Sequence, residues 1–260
     1  MPNERVSIQV ADYIADVRLN RPDKMNAIDT DMFIALSDAA TALADRKDVR
    51  AVVLSGSGRA FCAGLDLGSL GAGMPNRLTE RTHGIANLFQ HAVWGWRELP
   101  VPVIAAVHGV AFGGGLQIAL AADIRIVAPD AQLAVMEARW GLVPDMAGFV
   151  LLRDLVRDDV ARELTYTARK VPAPEAVELG LATRVADDPH GAAMELAARI
   201  AAGSPLAVRA AKRLFAASRD VGATEILLAE SREQEELIHG PDVAEILTAQ
   251  VENRPPRFAD

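Results

Sequence analysis

The chain has 260 residues, 50% of them hydrophobic, 24% charged and 5% aromatic, which supports a large core and excludes a disordered or low-complexity protein. Lys and Arg number 27 against 35 Asp and Glu, and the net charge of -8 disfavours nucleic acid or an anionic membrane as the main partner. No apolar run approaches the roughly 20 residues of a membrane helix. The opening residues resemble neither a signal nor a transit peptide, and the single cysteine, Cys62, excludes an internal disulfide, so the expectation is a soluble cytoplasmic protein.

Two alternating runs, Val6 to Val10 and Tyr13 to Leu19, predict a β-hairpin. A helix is expected from Asp29 or Thr30, because Met32, Phe33, Leu36, Ala39, Ala40 and Leu43 form one apolar stripe. Ala51 to Leu54 is a short buried strand, and a glycine-rich loop runs from Arg59 to Gly73. A helix from about Arg77 to Glu98, a strand over Val101 to Val107, a helix over Leu116 to Ala122 and strands at Ile124 to Val127 and Leu133 to Met136 follow. From Ala147 onward the pattern is helical, with prolines 144, 172, 174, 189, 205 and 241 at or near helix starts. Strands and helices alternate and then give way to helices, so the fold class is α/β with a helical C-terminal part.

The five histidines lack HxxxH or HExxH spacing, so no metal site is expected, and no GxSxG elbow, Walker loop or GxGxxG appears. Two glycine-bearing loops remain. One is Phe61-Cys62-Ala63-Gly64-Leu65-Asp66-Leu67; the other is Gly113-Gly114-Gly115, which opens a helix after a strand. Free backbone N–H groups at such a terminus suit a developing oxyanion, and convergence of the Leu65 and Gly114 amides would make a two-donor hole. Tight strand–helix packing is the alternative use of these glycines. Downstream, Glu137 closes an apolar strand and Asp145 follows eight residues later, with Trp140, Leu142 and Val143 between them. Burial would raise either carboxyl toward the range where it both takes and gives a proton. The alternatives are an ion pair of Glu137 with Arg139 or Arg125, and Asp145 as the cap of a helix starting near Ala147.

Segments 19–28, 59–67 and 103–115, then 121–126, 141–144 and 176–182, occur in an order that resembles the crotonase (enoyl-CoA hydratase/isomerase) superfamily across nearly the whole chain. The resemblance implies a spiral of ββα units over residues 1–200. It also implies a helical region over 201–260 that mediates homotrimers, often paired as hexamers. The expected ligand is an acyl-CoA thioester, with coenzyme A as part of the substrate and no resident cofactor. By position, Leu65 and Gly114 match the family's oxyanion hole. Arg21, Lys24, Met25, Ala63, Asp66 and Leu67 fall in segments lining the CoA groove. Phe258 matches an aromatic that reaches a neighbouring subunit's CoA, its alternative being a frayed terminus. Glu137 matches a catalytic glutamate, but the family hydratases' other glutamate is Gln117 here, which cannot accept a proton at neutral pH. Asp145 matches a proton-transfer aspartate of dienoyl-CoA isomerases. The expected chemistry is therefore acid–base work at an enoyl thioester, by hydration or double-bond isomerisation, with a non-catalytic acyl-CoA binder as the alternative. An acyl pocket lined by residues 68–81 with Trp94, Trp140 and Phe149 completes the expectation.

Overall fold

The alternating first residues form an antiparallel hairpin, β1 (Val6–Ala11) with β2 (Ile14–Leu19), in the computed structural model, which describes residues 5–69 and 78–259. The turn is Asp12-Tyr13, both at positive φ, so Tyr13 belongs to the turn rather than to the second strand. Strands β3 (Ala51–Gly56), β4 (Val103–Val107), β6 (Ile124–Val127) and β9 (Arg184–Val185) then add in parallel, giving the order β1-β2-β3-β4-β6-β9.

Both faces of the central strands β3 and β4 are covered, which is why these two are continuously apolar. Val52, Leu54, Val103, Ala105 and Val107 point into a core shared with α1 (Thr30–Ala44), α2 (Leu88–Glu98) and α3 (Gly114–Ala121). Ala51, Val53, Ile104, Ala106 and Ile126 point the other way, onto Ala193, Ala197 and Ala201 of α7 (Pro189–Ala201).

A second, smaller sheet joins β5 (Val110–Phe112), β7 (Gln132–Ala134) and β8 (Val171–Pro172). Bridges extend it: Cys62 pairs with Ala111, and Ile28 with Leu65. Each turn of chain thus places one strand in the large sheet and one extended piece in the second layer, as a spiral of ββα units does. Cys62 is fully buried in this layer; its thiol donates to the Asn26 carbonyl at 3.1 Å, and burial pushes its pKa up to about 12.

After β7 the chain is mostly helical, as expected, interrupted by the two-residue strands β8 and β9: α4 (Gly148–Arg153), α5 (Asp158–Thr167), α6 (Ala173–Leu179), α7, α8 (Pro205–Ala217), α9 (Ala223–Ile238) and α10 (Pro241–Val251). Prolines open α7, α8 and α10, where the missing N–H costs nothing. Two expectations need correction. Helix α2 starts at Leu88 rather than near Arg77, because Asn87 forms a capping box with Gln90. Residues 78–87 are turns with a His83–Ala86 bridge instead, and residues 70–77, which hold part of the expected acyl loop, lie outside the described residues. Glu137 does not close a strand: β7 ends at Ala134, and Glu137 opens a 3-10 turn, Glu137–Trp140.

Candidate active site

The second layer ends in a pocket of about 440 Å³ bordered by Leu65, Gly113, Gly114, Gln117, Glu137 and Asp145 among largely apolar neighbours. Chain segments far apart in sequence meet there because their strands are paired. Ile28 donates to the Gly64 carbonyl (2.8 Å) and accepts from the Asp66 amide (2.9 Å). Strand alternation then turns the Leu65 N–H away from Ile28. Gly64 holds φ +90°, and a Cβ there would come within 2.6 Å of the Phe112 carbonyl oxygen, so this close approach requires glycine.

Gly113 anchors the other side. At φ 52° it donates to the Ala134 carbonyl at 2.9 Å, and Gly114 becomes the first residue of α3. First-turn amides of a helix have no intrahelical acceptor, so the Gly114 N–H is available to a ligand at the border of the pocket.

One turn into α3, the Gln117 side-chain amide donates to Glu137 Oε1 at 2.6 Å, in a buried contact. Glu137 is 8% exposed and Gln117 3%. The other two oxygens, Glu137 Oε2 and Gln117 Oε1, have no protein partner among the described residues. Burial pushes the Glu137 carboxyl up; the Gln117 bond opposes this, and the nearby Asp145 charge adds to the rise. Asp145 stands at the exposed edge of the pocket, and partial desolvation of its carboxyl raises its pKa as well.

Neither alternative role for the acids survives. Arg125 donates to the Leu181 and Ala122 carbonyls instead of Glu137, and Arg139 is exposed. Ala147, not Asp145, sits at the N-cap of α4, and no side chain caps that helix.

Ala63 and Leu67 border the pocket, and the exposed Lys24 lies in the 3-10 turn Pro22–Lys24. Met25 follows it at φ 49°, its carbonyl accepting from Ala63 N at 2.9 Å. Arg21 and Asp66 are paired with each other at 2.7 Å, and Arg21 also bonds the Ala27 carbonyl. Their charges fasten the residue-20 turn to the residue-60 loop. Phe258 lies away from this pocket. Its carbonyl accepts from Arg50, just before β3, whereas the pocket follows the other end of that strand.

Trp140 lines the pocket as expected. Trp94 does not; it packs beside the main core. Phe149 belongs to a separate groove with Tyr166. Leu78, from the expected 68–81 loop, borders the pocket too, and the unforeseen lining residues are Phe33, Phe89, Phe112, Met136 and Met146. They come from α1, α2, β5 and the loops around Met136 and Met146 and share no motif, so only the folded chain assembles them.

Comparison with known proteins agrees with this architecture. The Arabidopsis thaliana peroxisomal Delta(3,5)-Delta(2,4)-dienoyl-CoA isomerase is 32% identical over 252 residues, covering 93% of this chain and 91% of that protein. The carnitinyl-CoA dehydratase of Salmonella arizonae is 34% identical, with 94% of each chain covered. The crystal structure of an enoyl-CoA hydratase from Bacillus anthracis superposes with a TM-score of 0.90 at 31% identity, covering 98% of both chains. The sequence profile of the enoyl-CoA hydratase/isomerase family matches residues 9–260. By sequence and by fold, the chain belongs to the enoyl-CoA hydratase/isomerase family, within the crotonase superfamily.

Proposed function

We propose that the protein isomerises the double bond of an enoyl-CoA thioester, with Glu137 as its proton carrier. The observation that carries this reading is the buried Glu137 carboxyl, raised by burial and held through one oxygen by the Gln117 amide. The other oxygen is left to work. Glu137 Oε2 takes a proton from C2 of a 3-enoyl thioester, the C–H electrons form the dienolate, the carboxyl proton exchanges with solvent, and a proton is returned from the carboxyl at C4 as the double bond moves to C2–C3. The Leu65 and Gly114 amides stabilise the enolate oxygen; one such donor is worth roughly 3–4 kcal/mol. Asp145 offers a second proton site at the pocket edge for a substrate whose unsaturation extends further.

Hydration makes a different demand. One group must take a proton from water while another delivers a proton to C2, and a glutamine does neither at neutral pH. Gln117 leaves a single buried carboxylate beside the thioester, which favours isomerisation.

Coenzyme A enters as part of the substrate, with Ala63 and Leu67 along its path and Lys24 and Met25 on the adjoining turn. The Arg21–Asp66 pair positions that turn. The region 201–260 serves assembly into trimers, or hexamers, since α9 and α10 expose Leu227, Leu228, Ile238, Leu247 and Val251. Arg50 fixes the tail away from its own pocket, so a contact of Phe258 with CoA would be to a neighbouring subunit's.

Mass spectrometry of 3-enoyl- and trans-2-enoyl-CoA thioesters incubated in D₂O tests the reading. Deuterium uptake with a moved double bond and no added water is expected. Glu137→Gln should lower the rate by about 10²–10⁴ with acyl-CoA affinity retained. A product carrying added water would establish a hydratase instead, and CoA binding with no exchange would establish a binder.

A further inference from the structure

Two aromatic side chains that the chemistry does not use stand in the wall of the same pocket. Phe33 comes from the first turn of α1 and Phe89 from the first turn of α2. Their rings meet edge to face, centroids 4.6 Å apart and planes at 86°. Both side chains belong to the main core and are only 3% and 7% exposed, yet both border the cavity. Other border residues are open to solvent: Leu67, Leu78, Trp140, Leu142 and Val143. The cavity therefore has an apolar mouth and a closed aromatic wall.

That wall is rigidly tied to the thioester end. Helix α1 begins two residues after Ile28, whose backbone pairs with Leu65. Helix α2 begins at its capping box, and the same Asn87 side chain donates to the Leu78 carbonyl at 2.8 Å, so Phe89 and the Leu78 backbone are held together. An edge-to-face pair locked into a core cannot swing aside as a flexible methionine does.

We infer that the Phe33–Phe89 pair is the end stop of the acyl pocket and sets the longest acyl chain the protein accommodates. The inference rests on the acyl-thioester reading above. The cavity of about 440 Å³ lies toward the lower end of the range of about 300–1,000 Å³ for small-molecule pockets, so it takes an acyl chain of limited length. The fitting substrate class is a medium-length, unbranched and apolar acyl chain. Each methylene buried before the stop tightens binding about fourfold, and methylenes beyond it contribute nothing.

Isothermal titration with saturated acyl-CoA thioesters, lengthened in two-carbon steps, reads this directly, because these ligands have no double bond to move. Affinity should climb and then break at medium length. Phe89→Ala should shift the break outward by at least one step, and Phe89→Leu, which keeps more of the core filled, should shift it in the same direction if the alanine variant does not fold. Phe149→Ala, on an exposed aromatic outside this cavity, should leave the break in place. A break unmoved in the folded Phe89 variants overturns the end stop alone. Absence of acyl-CoA binding by the unaltered protein overturns the functional reading, and the end stop with it.

Discussion

Glu137 is held in a state that works against the stability of its own fold. Burial raises its carboxyl above the ordinary 4.5, so the native protein prefers the protonated form more than the unfolded chain does. Its share of stability is full below about pH 4.5 and is lost as pH rises through the folded value. Glu137→Gln removes that cost, so the variant should melt higher than the unaltered protein at neutral pH, with the gap closing toward about pH 4. A gap that widens on acidification would contradict the assignment of a raised carboxyl. The sequence revealed Glu137, Gln117 and Asp145 because their spacing follows a family pattern. It did not reveal that Arg21 and Asp66 neutralise each other, since pairing depends on how two distant loops are folded together. Asn26 was equally opaque. It sits buried at φ 54° and donates to the Ser57, Ala60 and Phe61 carbonyls, fixing the loop that carries Leu65.

Among the elements, long strands and helices were legible because their apolar period is set by the core they face. β5, β8 and β9 were not, being two or three residues long and stabilised by partners rather than by pattern. The start of α2 is hard to place from sequence because residues 77–86 contain no proline to break a helix before its cap. The Asn87–Gln90 spacing carried the correct signal, since an Asn three residues before a Gln is a capping box. Asn87→Ala should cost about 1 kcal/mol in chemical denaturation. Because Asn87 also holds the Leu78 carbonyl, the variant should loosen one side of the pocket mouth and weaken acyl-CoA binding as well. Loss of stability with unchanged binding would separate the two roles. Gly64→Ala should be harsher: its Cβ meets backbone at positive φ, so the Leu65 amide must move and turnover should fall further than affinity.

For the whole molecule, the core is nearly closed while the C-terminal helices are not. α9 contains no buried residue in the isolated chain, although Leu227 and Leu228 are 60% and 51% exposed. Apolar surface of this extent is ordinarily covered by another protein surface. Sedimentation should therefore give a trimer, or a pair of trimers, of the 27.7 kDa chain. Leu227→Glu paired with Leu247→Glu should shift it toward monomer. A monomeric unaltered protein would leave the exposed face without an assembly role. Among the described residues, no helix is long and apolar enough to cross a membrane.

The buried thiol of Cys62 supplies a clock for how often the scaffold beneath the pocket comes apart. Its sulfur is sealed between the Asn26 carbonyl and Gly115, and its raised pKa leaves almost no thiolate, so a thiol reagent can react only through an opened form. Labelling in the native protein should be slow and should follow the opening rate rather than reagent concentration once reagent is in excess. A bound acyl-CoA, by bracing the Leu65 loop and the start of α3 at Gly114, should slow it further. Every copy of the chain carries this one thiol. A single labelling trace therefore reports the breathing of the layer that borders the pocket, with no probe attached to the pocket itself.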